Sequence, residues 1–421
     1  MAQTLLHEIF SAKLESDHRL PIFRFEVPYD GGVTYGVLAP EVLFWTQLIC
    51  IVLIEAAFGC IISALVYNQI VCRRGSTSSF LVGYGIVIPA CLLFPYYLIA
   101  TLDLRNKILK FAASAIVPNL TLFRCMEAMY GFSPPGTEKT SKQHMIYSAS
   151  AMEICFDPKT GRPAPAKLSD TLQRLMHFMK YIVILGLYKS AFAPYGYEPF
   201  HEQISDDSMQ RPWYRYLNVS HMGNNLIAAI LLQLYLTAFC SGLIALTHLA
   251  GIKVNDVMKN PLFESTSPSE FWGKRWNILV NGVLKRGVFK PVRQYCSKPI
   301  AALATFVASG LFHEWILTAV FFVHSHEKDG DGNCISSSCY HPAYGYNLAF
   351  FLWNAGIIAM EHYIGGLYLF QWIKRTLPRP IITALVLSTA LPVAHWFTYD
   401  LIKSDYFVHG QVGFPMIVKM A

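Results

Sequence analysis

The chain has 421 residues, 53% of them hydrophobic and only 14% charged, against roughly 25% charged in a typical soluble domain. Lysine and arginine total 34 against 27 acids, a formal charge of +7, and the mean hydropathy is +0.35. These values exclude a disordered chain, a disulfide-stapled miniprotein and an ordinary soluble enzyme, and they leave a polytopic membrane protein.

The polar segment 1–40 mixes acids and bases and has no apolar run behind a basic start. No cleaved signal peptide is expected, so the first transmembrane helix would direct insertion. A spanning helix needs about 20 mostly apolar residues. Segments 43–71, 79–101, 224–250, 299–323, 346–370 and 381–402 meet that need. Two weaker segments are 111–130, interrupted by Pro118 and Arg124, and 172–193, which carries Arg174, Lys180 and Lys189. The expected fold is therefore an all-α polytopic helical bundle of about eight spans, forming one membrane domain over 1–421. No repeat of fixed period supports a duplicated transporter or a solenoid.

Cys50, Cys60, Cys91 and Cys240 lie inside apolar runs, where cysteine behaves as a small apolar residue. Cys334 and Cys339 lie in the polar loop 324–345 and could pair in an oxidising compartment. The connection 251–298 holds nine basic residues against Asp256, Glu264 and Glu270, a net +6. The positive-inside rule puts that loop in the cytosol and 324–345 in the lumen, with the sequon Asn218-Val219-Ser220 also lumenal. Arg105, Lys107 and Lys110 run against this assignment, because they would face the lumen.

The basic loop is not simply polar. It reads Phe271-Trp272-Gly273-Lys274-Arg275-Trp276-Asn277 behind Ser267-Pro268-Ser269-Glu270. Ser267 or Ser269 could cap a helix with Glu270 in its first turn. Phe271, Trp272 and Trp276 would give that helix an aromatic face in the headgroup region, with Lys274 and Arg275 toward water or a polyanion. Asn277 is the neutral amide beside them. Such a surface suits a ligand with a phosphorylated head and an apolar tail, as acyl-coenzyme A has.

The span 299–323 contains Ser309-Gly310-Leu311-Phe312-His313-Glu314. An ionisable side chain in mid-span costs on the order of 2.5–3.5 kcal/mol on insertion scales, so the adjacent His313 and Glu314 need partners or a wet cavity. One reading is a polar contact between helices. The other is general-base catalysis, in which His313 removes a proton from a hydroxyl while Glu314 fixes its tautomer.

At these two places the chain resembles the membrane-bound O-acyltransferases, in their wax-synthase branch. The run Phe271 to Asn277 looks like that family's signature loop. The run Phe306 to Glu314 is similar to its histidine-bearing helix, and His313 follows Asn277 by 36 residues. The resemblance covers roughly 256–320. It implies an internal tunnel and transfer of an acyl group from acyl-CoA to a lipophilic alcohol, with His313 as catalytic histidine and Asn277 as its polar partner. Acyl-CoA would be a co-substrate, held by Phe271, Trp272, Lys274, Arg275, Trp276 and Ser309. No cofactor, metal or nucleic acid is expected, and an endoplasmic reticulum location is. Two alternatives stay open: an acetyl-CoA-dependent O-acetyltransferase of a terpenoid or sterol, and a transporter relaying through His313, Glu314, Glu55 and Glu361.

Other patterns weigh less. His201…Asp206 and His326…Asp331 share the His-x4-Asp spacing of a different acyltransferase class, but both sit in polar loops. His324, His326 and His341 with Cys334 and Cys339 fit no closed zinc arrangement. Glu361-His362 reads as a packed polar pair.

Overall fold

The computed structural model describes residues 8–10, 14, 19–28, 32–157, 160–200, 213–329, 334–335 and 339–420. All eight predicted segments are helical. α1 is Val42–Val71, α2 Thr77–Thr101, α3 Lys107–Ala115, α4 Val117–Tyr130, α5 Ser141–Ala149 and α6 Leu168–Phe192. α7 is Val219–Leu249, α8 Ile278–Leu284, α9 Lys298–Val320, α10 Tyr346–Ile364, α11 Arg379–Ser388 and α12 His395–Lys403.

Among the described residues, five helices are long and apolar enough to cross a bilayer, with α3 and α4 together counting as one. A sixth is reached if the pair Arg379–Val393 and His395–Lys403, bent by 60°, is one span. The sequence reading expected about eight, and two of its segments do not meet this measure of length and apolarity. α6 carries Asp170, Arg174, Lys180 and Lys189, while α10 is only 19 residues long and contains Asn347, Asn354 and Glu361.

A three-stranded antiparallel sheet of Pro21–Val27, Val33–Leu38 and Met416–Lys419 joins the two ends of the chain, an element the sequence reading lacks. Phe25 pairs with Tyr35, and Gly36 with Val418. The main core gathers Phe44 and Ile51 of α1, Leu185 of α6, Leu231 and Ala238 of α7, Ala319 of α9 and the C-terminal Phe407 and Phe414.

The bend between α11 and α12 frees carbonyls that apolar surroundings cannot satisfy. Neighbouring helices supply the donors: Trp353 Nε1 to Thr389 O (2.8 Å), Asn225 Nδ2 to Leu391 O (2.7 Å) and His221 Nε2 to Pro392 O (3.2 Å).

Of the cations that ran against the charge rule, Lys107 and Lys110 are taken up internally, while Arg105 stays exposed. Lys110 Nζ donates to Phe322 O (2.7 Å), Lys107 Nζ to Ser404 O, and Arg105 pairs with Asp103. The two buried lysines therefore say little about which side faces the cytosol. Asn218 of the sequon caps α7, its side chain accepting from Ser220 N (2.9 Å).

The basic connection 251–298 is not an open loop either. Leu279, Val283, Leu284 and Val288 pack with Leu120 and Phe123 of α4. Gly287 is what permits this, since a Cβ there would lie 2.9 Å from Phe123 O. Arg286 reaches Glu127 of α4 (2.9 Å) and Glu153 (3.0 Å). Tyr147, Glu127 and Glu153 outweigh burial and hold its guanidinium above the usual range.

Candidate active site

Thr305, Ser309 and His313 recur at four-residue spacing along α9, with Phe306 three residues before Ser309, and so share one helix face. That face lines a cavity of about 460 Å³. Across it stand Phe271, Trp272, Trp276 and Asn277, then Phe350, Phe351 and Asn354 of α10, and Phe397 and Thr398 of α12. The lining is mostly apolar and aromatic, with a few polar groups, the usual make-up of a small-molecule site.

His313 is the most constrained of these. Its ring lies among Phe351 (4.6 Å between centroids), Phe397 (5.2 Å) and Phe312 (5.4 Å). Its Nδ1 sits 2.7 Å from Ser309 O, one turn back on the same helix. A carbonyl only accepts, so Nδ1 carries the proton and, in the neutral ring, Nε2 holds the lone pair. The tautomer is thus fixed by the backbone of α9 itself. Gly310 lets α10 pack close enough to bring Phe351 onto the ring: a Cβ at Gly310 would fall 2.9 Å from Leu348 Cα.

Glu314 takes no part in this contact. One residue along the helix turns it away from the cavity lining, and its Oε1 accepts from Leu348 N (3.0 Å) in the first turn of α10. Its Oε2 is buried without a hydrogen-bond partner among the described residues. The same arrangement recurs at the other intramembrane acids. Glu55 of α1 accepts from Val117 N at the start of α4 (3.4 Å), and Glu361 accepts from Ser269 N (2.8 Å). Each carboxylate serves a helix N-terminus whose first amides lack intrahelical partners and whose dipole favours negative charge. The acids assigned to a transporter relay are therefore bound to three separate backbone amides.

Asn277 is shaped by the backbone. It lies at φ +40°, in the left-handed region that asparagine tolerates better than most residues, and caps α8. Its Oδ1 accepts from Val280 N (3.2 Å), and Ile278 N donates to Val257 O (2.8 Å). With the oxygen used by the cap, the Nδ2 hydrogens have no protein partner among the described residues. They remain available on the cavity wall.

The segment before it begins as expected, with Ser267 accepting from Glu270 N (3.1 Å) as the helix cap. It then widens into a π-turn, Phe271–Arg275, closed by Trp276 N to Phe271 O (2.8 Å). The aromatic face turns inward. Phe271 stacks on Trp276 (5.5 Å), and Trp272 packs against Phe306 and Phe351. Where the sequence had this face meeting headgroups, it forms one wall of the cavity.

The two cations of the motif separate. Arg275 is held by Glu264 (2.7 Å), Glu270 (2.8 Å) and Lys259 O (3.0 Å). Burial alone would raise the Glu270 carboxyl, but hydrogen bonds from Thr266 and Arg275 bring it down to about 2. Lys274 is exposed and has no such partner.

His313, Asn277, Ser309, Phe271, Trp272 and Trp276 thus line one cavity, while Glu314, Lys274 and Arg275 lie outside its lining. Asn354, Thr398 and the three phenylalanines around Trp272 and His313 escaped the sequence reading. Asn354 did leave a signal, an isolated amide in an apolar span, but nothing in the sequence separates such a residue from an ordinary interhelical contact. His201, Asp206 and Asp331 lie outside the described residues. Cys334 and Cys339 form a disulfide (Cα–Cα 6.0 Å), which removes both as thiolate ligands. Among the described residues no group of three or more metal-ligating side chains converges.

This geometry defines a class: a helical membrane protein enclosing a largely apolar cavity, with an open imidazole nitrogen and an unengaged amide donor on its wall. Comparison with known proteins gives a family likeness over part of the chain. Residues 255–328, which contain both Asn277 and His313, match the Membrane bound O-acyl transferase family. The chain is similar to "Probable long-chain-alcohol O-fatty-acyltransferase 9" of Arabidopsis thaliana, 42% identical over 65 residues, covering 14% of this chain and 19% of the relative. It is also similar to "Probable long-chain-alcohol O-fatty-acyltransferase 2" of the same organism, 28% identical over 177 residues, 40% of this chain and 44% of the relative. A third Arabidopsis thaliana relative, "Acyl-CoA--sterol O-acyltransferase 1", is 36% identical over 85 residues, 18% of this chain and 25% of the relative. The matches span less than half the length of each of these relatives. Over this stretch the chain resembles the membrane-bound O-acyltransferases, and the relatives it matches are named for acyl transfer to long-chain alcohols or a sterol.

Proposed function

We propose that the chain transfers an acyl group from acyl-CoA to the hydroxyl of a lipophilic alcohol, giving an ester. The observation that carries this reading is the state of His313, with Nδ1–H committed to Ser309 O and Nε2 left as the acceptor on the cavity. Nε2 takes the proton of the acceptor hydroxyl as its oxygen attacks the thioester carbonyl carbon. The carbon–sulfur bond breaks, and the coenzyme A thiolate leaves with the proton returned by the imidazolium. Asn277 Nδ2 donates to the carbonyl oxygen as it becomes anionic, a preorganised contact of the kind worth about 2.7–4 kcal/mol. No covalent intermediate is needed.

The acceptor is a long-chain alcohol by the names of two of the relatives, and the aromatic lining also suits a ring system such as the sterol in the name of the third. Acetyl transfer to a terpenoid or sterol is the second reading, and the same sterol-acting relative favours its acceptor class. An endoplasmic reticulum membrane, with 251–298 cytosolic, is supported by the charge of that segment and by the Cys334–Cys339 disulfide in 324–345.

The test is an acyl-transfer assay in microsomes, crossing acetyl-CoA and palmitoyl-CoA with a fatty alcohol, a sterol, a terpenoid alcohol and diacylglycerol. Ester formation that His313→Ala abolishes supports the reaction and the base together. Equal activity in both forms removes His313 from the mechanism.

A further inference from the structure

Among the described residues no backbone–backbone hydrogen bond joins the wall formed by the π-turn to α10, yet it stands against that helix at two points. Asn354 and Glu361 are seven residues apart, two turns along one face of α10. Asn354, only 3% exposed, accepts the indole N–H of Trp272 at its Oδ1 (3.0 Å). Its Nδ2 is committed to Phe350 O (2.8 Å), which orients the amide so that the oxygen meets the indole. Glu361 accepts from both Ser269 N (2.8 Å) and Ser269 Oγ (3.0 Å). The remaining side-chain bonds of this turn, from Arg275 to Glu264 and Glu270, from Thr266 to Glu270 and from Asn281 to Gly273, stay within 259–281. The segment is also tied to α7 by Leu262 N to Gln233 Oε1 (3.2 Å) and to α11 by Thr383 Oγ1 to Ser265 O (2.9 Å), but among the described residues the stretch Ser269–Trp272 itself is hydrogen-bonded to the spans through Asn354 and Glu361.

We infer that Asn354 and Glu361 are positioning residues, a two-point clasp by which α10 holds the Phe271–Trp272 wall in place over the cavity and so sets affinity for the acyl donor. The inference rests on the acyltransferase reading for its ligand. Neither reacting residue depends on the clasp. His313 is fixed by Ser309 O within α9, and Asn277 by Val280 N and the Ile278–Val257 bond. Releasing the clasp loosens a binding wall while leaving the chemistry assembled. Lost preorganisation of that kind raises KM and spares kcat.

The experiment uses the full chain with Asn354→Leu, Glu361→Ala, Glu361→Gln and Trp272→Phe. Asn354→Leu is expected to raise KM for palmitoyl-CoA about fivefold, the loss of one buried hydrogen bond, with kcat within twofold. Glu361→Ala is expected to raise it about tenfold, and Glu361→Gln, which keeps an acceptor for Ser269, less than threefold. Adding Asn354→Leu to Trp272→Phe is expected to add nothing, because the amide acts through the indole. A fall in kcat at unchanged KM, or additive effects in the double variant, overturns the inference.

A second readout needs no turnover. Tryptic cleavage after Lys274 in detergent-solubilised protein should run at least threefold faster in Asn354→Leu and Glu361→Ala than in the native chain. Unchanged cleavage also overturns the clasp. Faster cleavage in a protein that esterifies no alcohol keeps the clasp and removes the acyltransferase reading instead.

Discussion

Asn277 allows the two roles given to it, helix cap and oxyanion donor, to be separated by substitution. Aspartate keeps an oxygen for Val280 N and is as good an N-cap as asparagine. It has no N–H to offer a thioester oxygen. Asn277→Asp should therefore fold and insert like the native chain, with thermal stability within about 0.5 kcal/mol, and lose about 10²–10³-fold in kcat. Alanine removes the cap, about 1 kcal/mol, and must also hold φ +40°, costing about 1 kcal/mol more. Asn277→Ala should thus lose the same activity and about 2 kcal/mol of stability. Glycine accepts the backbone angle, offers no donor and adds no charge. Asn277→Gly separates a missing donor from electrostatic repulsion by Asp, and it should match Asp in activity. The assay is ester formation in microsomes, normalised to inserted protein, with thermal stability followed by size-exclusion of the solubilised chain. Activity of Asn277→Asp or Asn277→Gly within threefold of native would falsify the oxyanion role.

Glu314→Gln keeps an acceptor for Leu348 N, so it should retain at least half the native activity, whereas Glu314→Ala should lose stability at the start of α10; a His313-like loss in the Gln variant would return Glu314 to the chemistry. Arg275→Ala should destabilise the 259–276 turn and speed its proteolysis, while Lys274→Ala should leave folding intact, as measured by tryptic peptide release. The Glu270 carboxyl titrates at about 2 when folded, against 4.5 for an unperturbed Glu. Its stabilisation of the turn is accordingly full above about pH 4.5 and is lost as pH falls toward 2, which proteolysis by an acid protease across that window will read. Opening the Cys334–Cys339 loop by Cys334→Ser should cost about 2 kcal/mol by chain entropy for so short a loop. Maleimide labelling of Cys334 and Cys339 should appear only after reduction, and labelling without reduction would place the pair outside an oxidising compartment.

Much of the site was legible because its chemistry is costly in its setting. A histidine and a carboxylate inside an apolar helix, or two tryptophans and two cations beside an asparagine in a basic connection, stand out against their surroundings whatever the fold. What they do there was less legible. Glu314 looked like the partner of His313 because the two are adjacent in sequence, yet on a helix adjacent residues diverge by about 100°. Its carboxylate went to another helix instead. Arg275 looked available to a phosphate because Glu264 and Glu270 lie eleven and five residues away, and only folding brings them around its guanidinium.

The sequence by itself determined that this is a helical membrane protein, where its helices lie and which histidine and asparagine to examine. Hydropathy, charge and intramembrane ionisable groups carry energies of several kcal/mol that need no tertiary partner to be felt. Only the tertiary structure decided which way each side chain points. The π-turn rotates Phe271, Trp272 and Trp276 inward, and the Ser309 carbonyl fixes the His313 tautomer. Asn354 of α10 closes on an indole 82 residues earlier in the chain. The indole contact depends on packing between segments far apart in sequence; the turn and the tautomer are set by nearby backbone, but that they face a common cavity is decided only when the other helices close around them.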